Sequence, residues 1–122
     1  MTEYFYDSYS IIEYLKGNKN FEKYFKDPSG VTTKFNLMEV YYSLLENVDF
    51  AEEIYTSFSS VVIEPTDTEI KKAMRKRKEL KGKGLNISYV DAVGYAISLE
   101  HGIKFLTGDN EFKNLPNVEF VK

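Results

Sequence analysis

Short apolar runs alternate along the chain with longer segments whose apolar residues recur at helical spacing. Glu3 to Tyr6 is an aromatic run that stops at Asp7-Ser8, a pair favoured at helix N-termini. Ile11, Ile12 and Leu15 then recur at helical spacing until Gly17. A strand followed by a helix is expected. Phe21, Tyr24 and Phe25 mark a second short helix, closed by the turn signal Asp27-Pro28-Ser29-Gly30, and Val31 to Thr33 reads as a brief strand. From Asn36 to Glu46 the apolar positions Leu37, Met38, Val40, Tyr41, Tyr42, Leu44 and Leu45 lie nearly all round, which predicts a helix buried on more than one side. Asp49 is placed to cap a further helix with a Phe50, Ile54, Tyr55 and Phe58 stripe, and Ser60 to Glu64 reads as a β-branched strand stopped by Pro65.

Asp67 opens a long helix predicted to reach Lys81, with Ile70, Ala73, Met74 and Leu80 as a narrow stripe amid charge and Gly82 and Gly84 as its stop. Ser88 starts the next helix, with Val90, Val93, Ala96, Ile97 and Leu99 inward and His101-Gly102 at its end. Lys104 to Thr107 is strand-like, Gly108 to Asn110 a turn, Glu111 to Leu115 one helical turn, and Val118 to Val121 a last strand. Strands separated by such helices predict an α/β fold: a central, mainly parallel sheet of about four to five short strands with helices on both faces. In open sheets of this kind ligands sit beyond the carboxyl ends of the strands.

Composition narrows the picture. At 122 residues the chain has the length of one domain, 1–122, and 43% apolar residues with 16% aromatic give it material for a core. Without Cys there are no disulfides, thiolate catalysis or Cys-based metal centres, which fits a reducing cytosol. Met1 to Ser10 lacks the basic and apolar pattern of a leader and the apolar runs are short, so a soluble cytoplasmic protein with no membrane association is expected. The net charge of -3, taken alone, argues against a polyanionic partner.

Four carboxylates fall at strand exits or helix starts: Asp7 after the first strand, Glu39 in the first turns of the helix after the second, Asp91 at the start of the helix after the glycine turn, and Asp109 after Phe105-Leu106-Thr107. Each has a purely structural explanation. Asp7 suits an N-cap, Asn36 with Glu39 and Ser88 with Asp91 have capping-box spacing, and Asp109 sits in a turn. Brought together, however, four like charges repel unless a cation holds them. Oxygen-only ligands suit Mg²⁺ or Mn²⁺ rather than zinc. The single His101 reads as a helix C-terminal residue favoured by the dipole, not as a ligand.

Tyr6-Asp7-Ser8 with Ile11-Ile12-Glu13-Tyr14-Leu15, Asn36-Leu37-Met38-Glu39-Val40, Ser88-Tyr89-Val90-Asp91-Ala92, and Leu106-Thr107-Gly108-Asp109 with Phe112 together resemble the ordered acidic motifs of PIN-domain ribonucleases, in particular the VapC-type toxins of toxin-antitoxin pairs. The resemblance spans essentially the whole chain. It implies that Asp7, Glu39, Asp91 and Asp109 are the catalytic, metal-binding acids, that Ser8 and Thr107 position them, and that Mg²⁺ or Mn²⁺ supports hydrolysis of RNA. It also implies a homodimer and a cognate antitoxin protein. Tyr9 departs from the family's usual small polar residue, and Asn110 stands where some relatives carry a further acid.

The charge of -3 then divides. Eight basic residues lie between Lys71 and Lys83 against Glu79 alone, so that segment carries +7 and the remainder -10. A cationic helix bearing Arg75, Lys76 and Arg77 is a candidate RNA-binding surface; a solvated helix face is the plainer explanation. Tyr41, Tyr42, Tyr55 and Phe58 read either as core or as an apolar surface for a second subunit or a protein inhibitor. A rival from another class is a non-catalytic RNA-binding or protein-interaction module of the same fold. A receiver domain fits poorly, since no adjacent acidic pair follows the first strand.

Overall fold

The computed structural model describes residues 2–26 and 29–122; the Asp27-Pro28 half of the predicted turn lies outside them. The described residues form β1 (Tyr4–Tyr6), α1 (Ser8–Leu15), α2 (Lys19–Lys26), β2 (Gly30–Val31), α3 (Lys34–Ser43), α4 (Val48–Phe58), α5 (Asp67–Gly82), α6 (Tyr89–His101), β3 (Lys104–Thr107) and β4 (Val118–Phe120). Single 3₁₀ turns occur at Ser59–Val61 and Asn110–Phe112.

Helices begin where an extended residue offers a side-chain oxygen to a free backbone N–H. Asp7 caps α1, Thr33 caps α3, Asn47 caps α4, Thr66 caps α5 and Ser88 caps α6. Three of these differ from the sequence reading. Asn36 and Asp49 lie inside their helices, each behind a better-placed cap, and Asp49 instead favours the positive end of the α4 dipole. On α5 the capping box is formed by Thr66 and Glu69, so Asp67 is the first helical residue. Ser88 accepts from Asp91 N–H at 3.1 Å, as the second proposed box requires on that side.

The four strands are all parallel in the order β2-β1-β3-β4, with Phe5 opposite both Val31 and Phe105, and Thr107 opposite Phe120. Alternation along each strand sends successive side chains to opposite faces. Phe5 and Phe105 meet Ala73, Leu80, Val93, Ile97 and Phe112 under α5 and α6, whereas Tyr6 and Leu106 meet Ile11, Phe21, Tyr24 and Val40 under α1 to α3. This is the expected α/β sandwich with helices on both faces. Burial of each such aromatic contributes roughly 1.5–3 kcal/mol, so these two clusters hold the strands at fixed register.

Two expectations fail for want of a neighbour, a pairing strand in one case and a covering element in the other. Ser60 to Glu64 does not form a strand, because its neighbour β2 is two residues long; only Val62 pairs, bridging to Thr32. The apolar α3 buries Leu37 and Val40 but leaves Met38 56% and Tyr42 77% exposed, so it packs on one side. Leu99 is exposed as well. Among the described residues no helix is long and apolar enough to cross a membrane.

From β1 the chain passes to β2 on one side, while β3 lies on the other. That reversal makes the carboxyl ends of β1 and β3 the switch point of the sheet, the crevice position where parallel sheets bind ligands.

Candidate active site

Asp7 leaves β1 at this crevice, and its backbone N–H reaches the Leu106 carbonyl of β3 at 3.4 Å. As the N-cap of α1 it accepts from Ser10 N–H at 2.8 Å and is only 1% exposed. Ser10 in turn donates its hydroxyl to the Leu106 carbonyl at 2.8 Å, which ties the start of α1 to β3. Thr107, fully buried at the end of β3, accepts from Asp109 N–H at 3.0 Å. Asp109 also accepts from Glu111 N–H at 3.0 Å.

Gly108 lies between Thr107 and Asp109 for a steric reason. A Cβ there would fall 2.2 Å from the Tyr9 ring and 2.4 Å from the Val121 carbonyl. Tyr9, the departure noted in the sequence, therefore packs over this turn.

Glu39 projects from α3 and accepts a hydrogen bond from the Ser8 hydroxyl. Ser8 accepts from the Asn36 amide at 3.1 Å, and Asn36 accepts from the Thr33 hydroxyl at 2.6 Å. Asn36 and Thr33 are fully buried, so the order of donors and acceptors is fixed through the whole chain of hydrogen bonds. Neither residue stands out as a positioning group in the sequence. Asn36 reads there as half of a capping box; the signal that separates the two roles is Thr33, three residues earlier, which takes the cap.

Electrostatics link all four acids. Burial pushes the Asp7 carboxyl up to about 7, opposed by Ser10 and Thr107, and the charge of Asp91 raises it further. Asp91 is pushed up to about 6, again chiefly by burial, opposed by Ser88 and reinforced by Glu39 and Asp109. The charges that act on these two acids are all negative. Among the described residues no three carboxylate or imidazole side chains close into a ready-made coordination shell. Each acid rests instead on its own donor. The donor set nonetheless suits a hard divalent ion: it is all oxygen, anionic and without a counter-cation, and Mg²⁺ keeps several waters instead of demanding a full protein cage.

The basic segment behaves differently from one residue to the next. Arg77 donates Nε–H to the Ile87 carbonyl at 2.8 Å and lies 4.1 Å over the Tyr89 ring, so it braces the turn that leads to Asp91. Arg75 and Lys76 are not brought to the acids. They line a shallow depression with Lys72, Ala96, Leu99 and Glu100, on the half of α6 remote from Asp91. Lys72 pairs with Glu100 at 2.9 Å and Lys76 with Glu79 at 3.4 Å. His101, in the last turn of α6, meets the buried Glu69 of α5 at 2.8 Å and belongs to the scaffold.

The fold is similar to three solved structures of toxin-antitoxin proteins. They are a toxin-antitoxin complex from Klebsiella pneumoniae (16% identity, TM-score 0.79, 96% of each chain covered), VapC20 of Mycobacterium tuberculosis, a sarcin-ricin loop cleaving toxin (18%, 0.78, 98% of this chain and 100% of that one), and VapBC2 of Rickettsia felis bound to a promoter DNA fragment (17%, 0.75, 99% and 100%). At such identities the likeness establishes the fold. No curated protein gives a significant sequence match. The family model of the PIN domain matches residues 4–118, which takes in all four acids and strands β1 to β3, and the chain belongs to the PIN domain family.

Proposed function

We propose that the chain is a divalent-metal-dependent ribonuclease and the toxin of a type II toxin-antitoxin pair. The observation that carries this reading is electrostatic: the charges of Glu39 and Asp109 act on Asp91 and that of Asp91 on Asp7, and burial with this repulsion raises Asp7 and Asp91 toward neutrality. Membership of the PIN domain family supports it.

Asp7, Glu39, Asp91 and Asp109 would hold Mg²⁺ or Mn²⁺. Bound there, the ion supplies Lewis acidity, which lowers the pKa of water and neutralises charge on a phosphodiester. The protein's own part is positioning. Ser8 and Asn36 fix the carboxylate of Glu39, Ser10 N–H holds Asp7, and Thr107 holds the Asp109 backbone. Asp7 sits near the midpoint of its titration at neutral pH and Asp91 near its own about one unit lower, so a cation arriving at mildly acidic to neutral pH displaces protons from them. Arg75 and Lys76, on the half of the α5–α6 pair remote from Asp91, would meet phosphates only of an RNA that extends beyond the acids.

The same reading places partners on the exposed apolar surface of α3 and α4. Phe35, Met38, Tyr42, Leu45 and Val48 are large and exposed, more than a solitary surface requires, and fit a second copy of the chain and an antitoxin segment. The site of action is the cytoplasm, where the RNA lies.

A cleavage assay on single-stranded and loop RNA tests the reading. Cutting with Mg²⁺ or Mn²⁺, its loss in EDTA, and its loss in Asp7→Asn and Asp91→Asn are expected. RNA binding that survives these changes with no cleavage under any condition would point to the non-catalytic module instead.

A further inference from the structure

Tyr89 is the first residue of α6 and, despite its size, is 64% exposed. Its ring is nevertheless not loose. The Arg77 guanidinium lies 4.1 Å from the ring centroid, and Arg77 is itself pinned by its 2.8 Å hydrogen bond to the Ile87 carbonyl. The ring is thus backed by a cation held by the fold while the residue as a whole stays largely open to solvent. Beside it Phe35, Ile70, Val90 and Val93 complete an apolar hollow. An exposed aromatic normally costs ordering entropy when a ligand stacks on it; here the backing arginine has already restricted it.

We propose that Tyr89, backed by Arg77, is a stacking platform for an unpaired nucleobase of the RNA. This rests on the nuclease reading above, to which it adds the form of substrate accepted. Tyr89 and Asp91 share the first turn of α6 two residues apart, so their side chains diverge by about 200° around the axis. The ring therefore points away from the Asp91 carboxylate and serves a flanking nucleotide and not the scissile phosphate itself. The apolar hollow offers nothing to hydrogen-bond a base edge, and every base has a π face, so the platform reads the presence of an unpaired base without its identity. A base held in a helical stem cannot reach it. Arg77 acts here through Tyr89, as a positioning residue, and not by contacting phosphate.

The test uses a single-stranded RNA oligonucleotide carrying 2-aminopurine at successive positions, with Ca²⁺ in place of Mg²⁺ to slow cutting. The wild-type protein is expected to quench 2-aminopurine at one position near the cleavage site. Tyr89→Phe keeps the quenching, whereas Tyr89→Leu loses it and binds about tenfold more weakly. An abasic nucleotide at that position weakens the wild type by a similar factor and leaves Tyr89→Leu unchanged, a coupling that mere misfolding does not produce. Wild-type cleavage with Tyr89→Leu indistinguishable in quenching and affinity overturns the platform alone. So does a Tyr89→Leu protein whose mass in solution differs from the wild type, which assigns the ring to an interface between copies. A wild type that neither binds nor cuts RNA overturns the platform and the nuclease reading together.

Discussion

The side-chain amide of Asn36 lies 3.1 Å from the hydroxyl of Ser8, and that hydrogen bond decides which way Ser8 points. Because Asn36 also accepts from Thr33, its amide is oriented with NH₂ toward Ser8, which leaves the Ser8 proton for Glu39. Asn36→Leu keeps the volume but removes the acceptor of the buried Thr33 hydroxyl and the donor to Ser8, and a loss of about 1–3 kcal/mol in chemical unfolding is expected. Ser8→Ala removes a single hydroxyl at the site; the fold is expected to survive while cleavage falls about tenfold, the usual scale for removing one positioning hydrogen bond. Equal effects of the two substitutions on stability would contradict this division.

Stability without metal should fall as pH rises. Asp7 and Asp91 titrate in the folded protein at about 7 and about 6, above the ordinary value of 3.8. The folded state therefore holds these protons more tightly than the unfolded chain. That contribution is complete below the ordinary value and is lost as pH rises through the two raised ones. In EDTA the thermal midpoint is expected to drop by several degrees between about pH 5 and about pH 8, on the scale of a few kcal/mol. Asp7→Asn should flatten that decline and raise the midpoint at the alkaline end. A midpoint that climbs with pH, or ignores the substitution, contradicts the origin assigned to these shifts.

The basic residues of α5 divide by salt dependence. Arg75→Ala and Lys76→Ala are expected to reduce the slope of log affinity against log salt for single-stranded RNA by about 0.7 for each phosphate that is no longer neutralised, with little change in stability. Arg77→Ala is expected to lower stability by about 1–2 kcal/mol, because it removes the hydrogen bond to Ile87 and the cation beside the Tyr89 ring. Salt titration beside thermal unfolding distinguishes the two behaviours.

Glu69 joins the two ends of the α5–α6 pair. Burial alone would raise its pKa, but hydrogen bonds from Thr66 and His101 outweigh burial and the net shift is downward. A lowered carboxylate stabilises above its unfolded value and loses that contribution as pH falls through the folded one. Glu69→Ala should cost about 1–2 kcal/mol at neutral pH, as loss of a cap partner does. The difference from wild type should shrink in acid, which an unfolding series across pH will measure.

Much of the architecture is legible in the sequence because periodicity and capping chemistry agree. β3 falls at Lys104–Thr107 as expected, and α6 begins after Ser88 and ends at Gly102, whose left-handed backbone (φ 67°) explains the stop. The positions of Asp7, Asp91 and Asp109 are legible because each follows a strand or opens a helix, whereas Glu39 lies inside α3. Features that depend on neighbours are not. Ser60 to Glu64 has strand composition but only Thr32 to pair with, and Tyr42 looks like core until the absence of a covering element is seen. Asn36 and Thr33 escape notice as positioning groups because polar residues near a helix start read as caps. Arg77 lies within a cationic run, and only three-dimensional packing shows it spent on Tyr89.

The most direct measurement of whether the four acids act as one cation site is a calorimetric Mn²⁺ titration at about pH 6.5, in two buffers of different ionisation heat. Expected are saturable binding, release of protons from Asp7 and Asp91 that fades toward alkaline pH, and affinity weakened about tenfold or more by each of Asp7→Asn, Glu39→Gln, Asp91→Asn and Asp109→Asn. Mn²⁺ binding that releases no proton and ignores all four substitutions, or no binding at all, would contradict it.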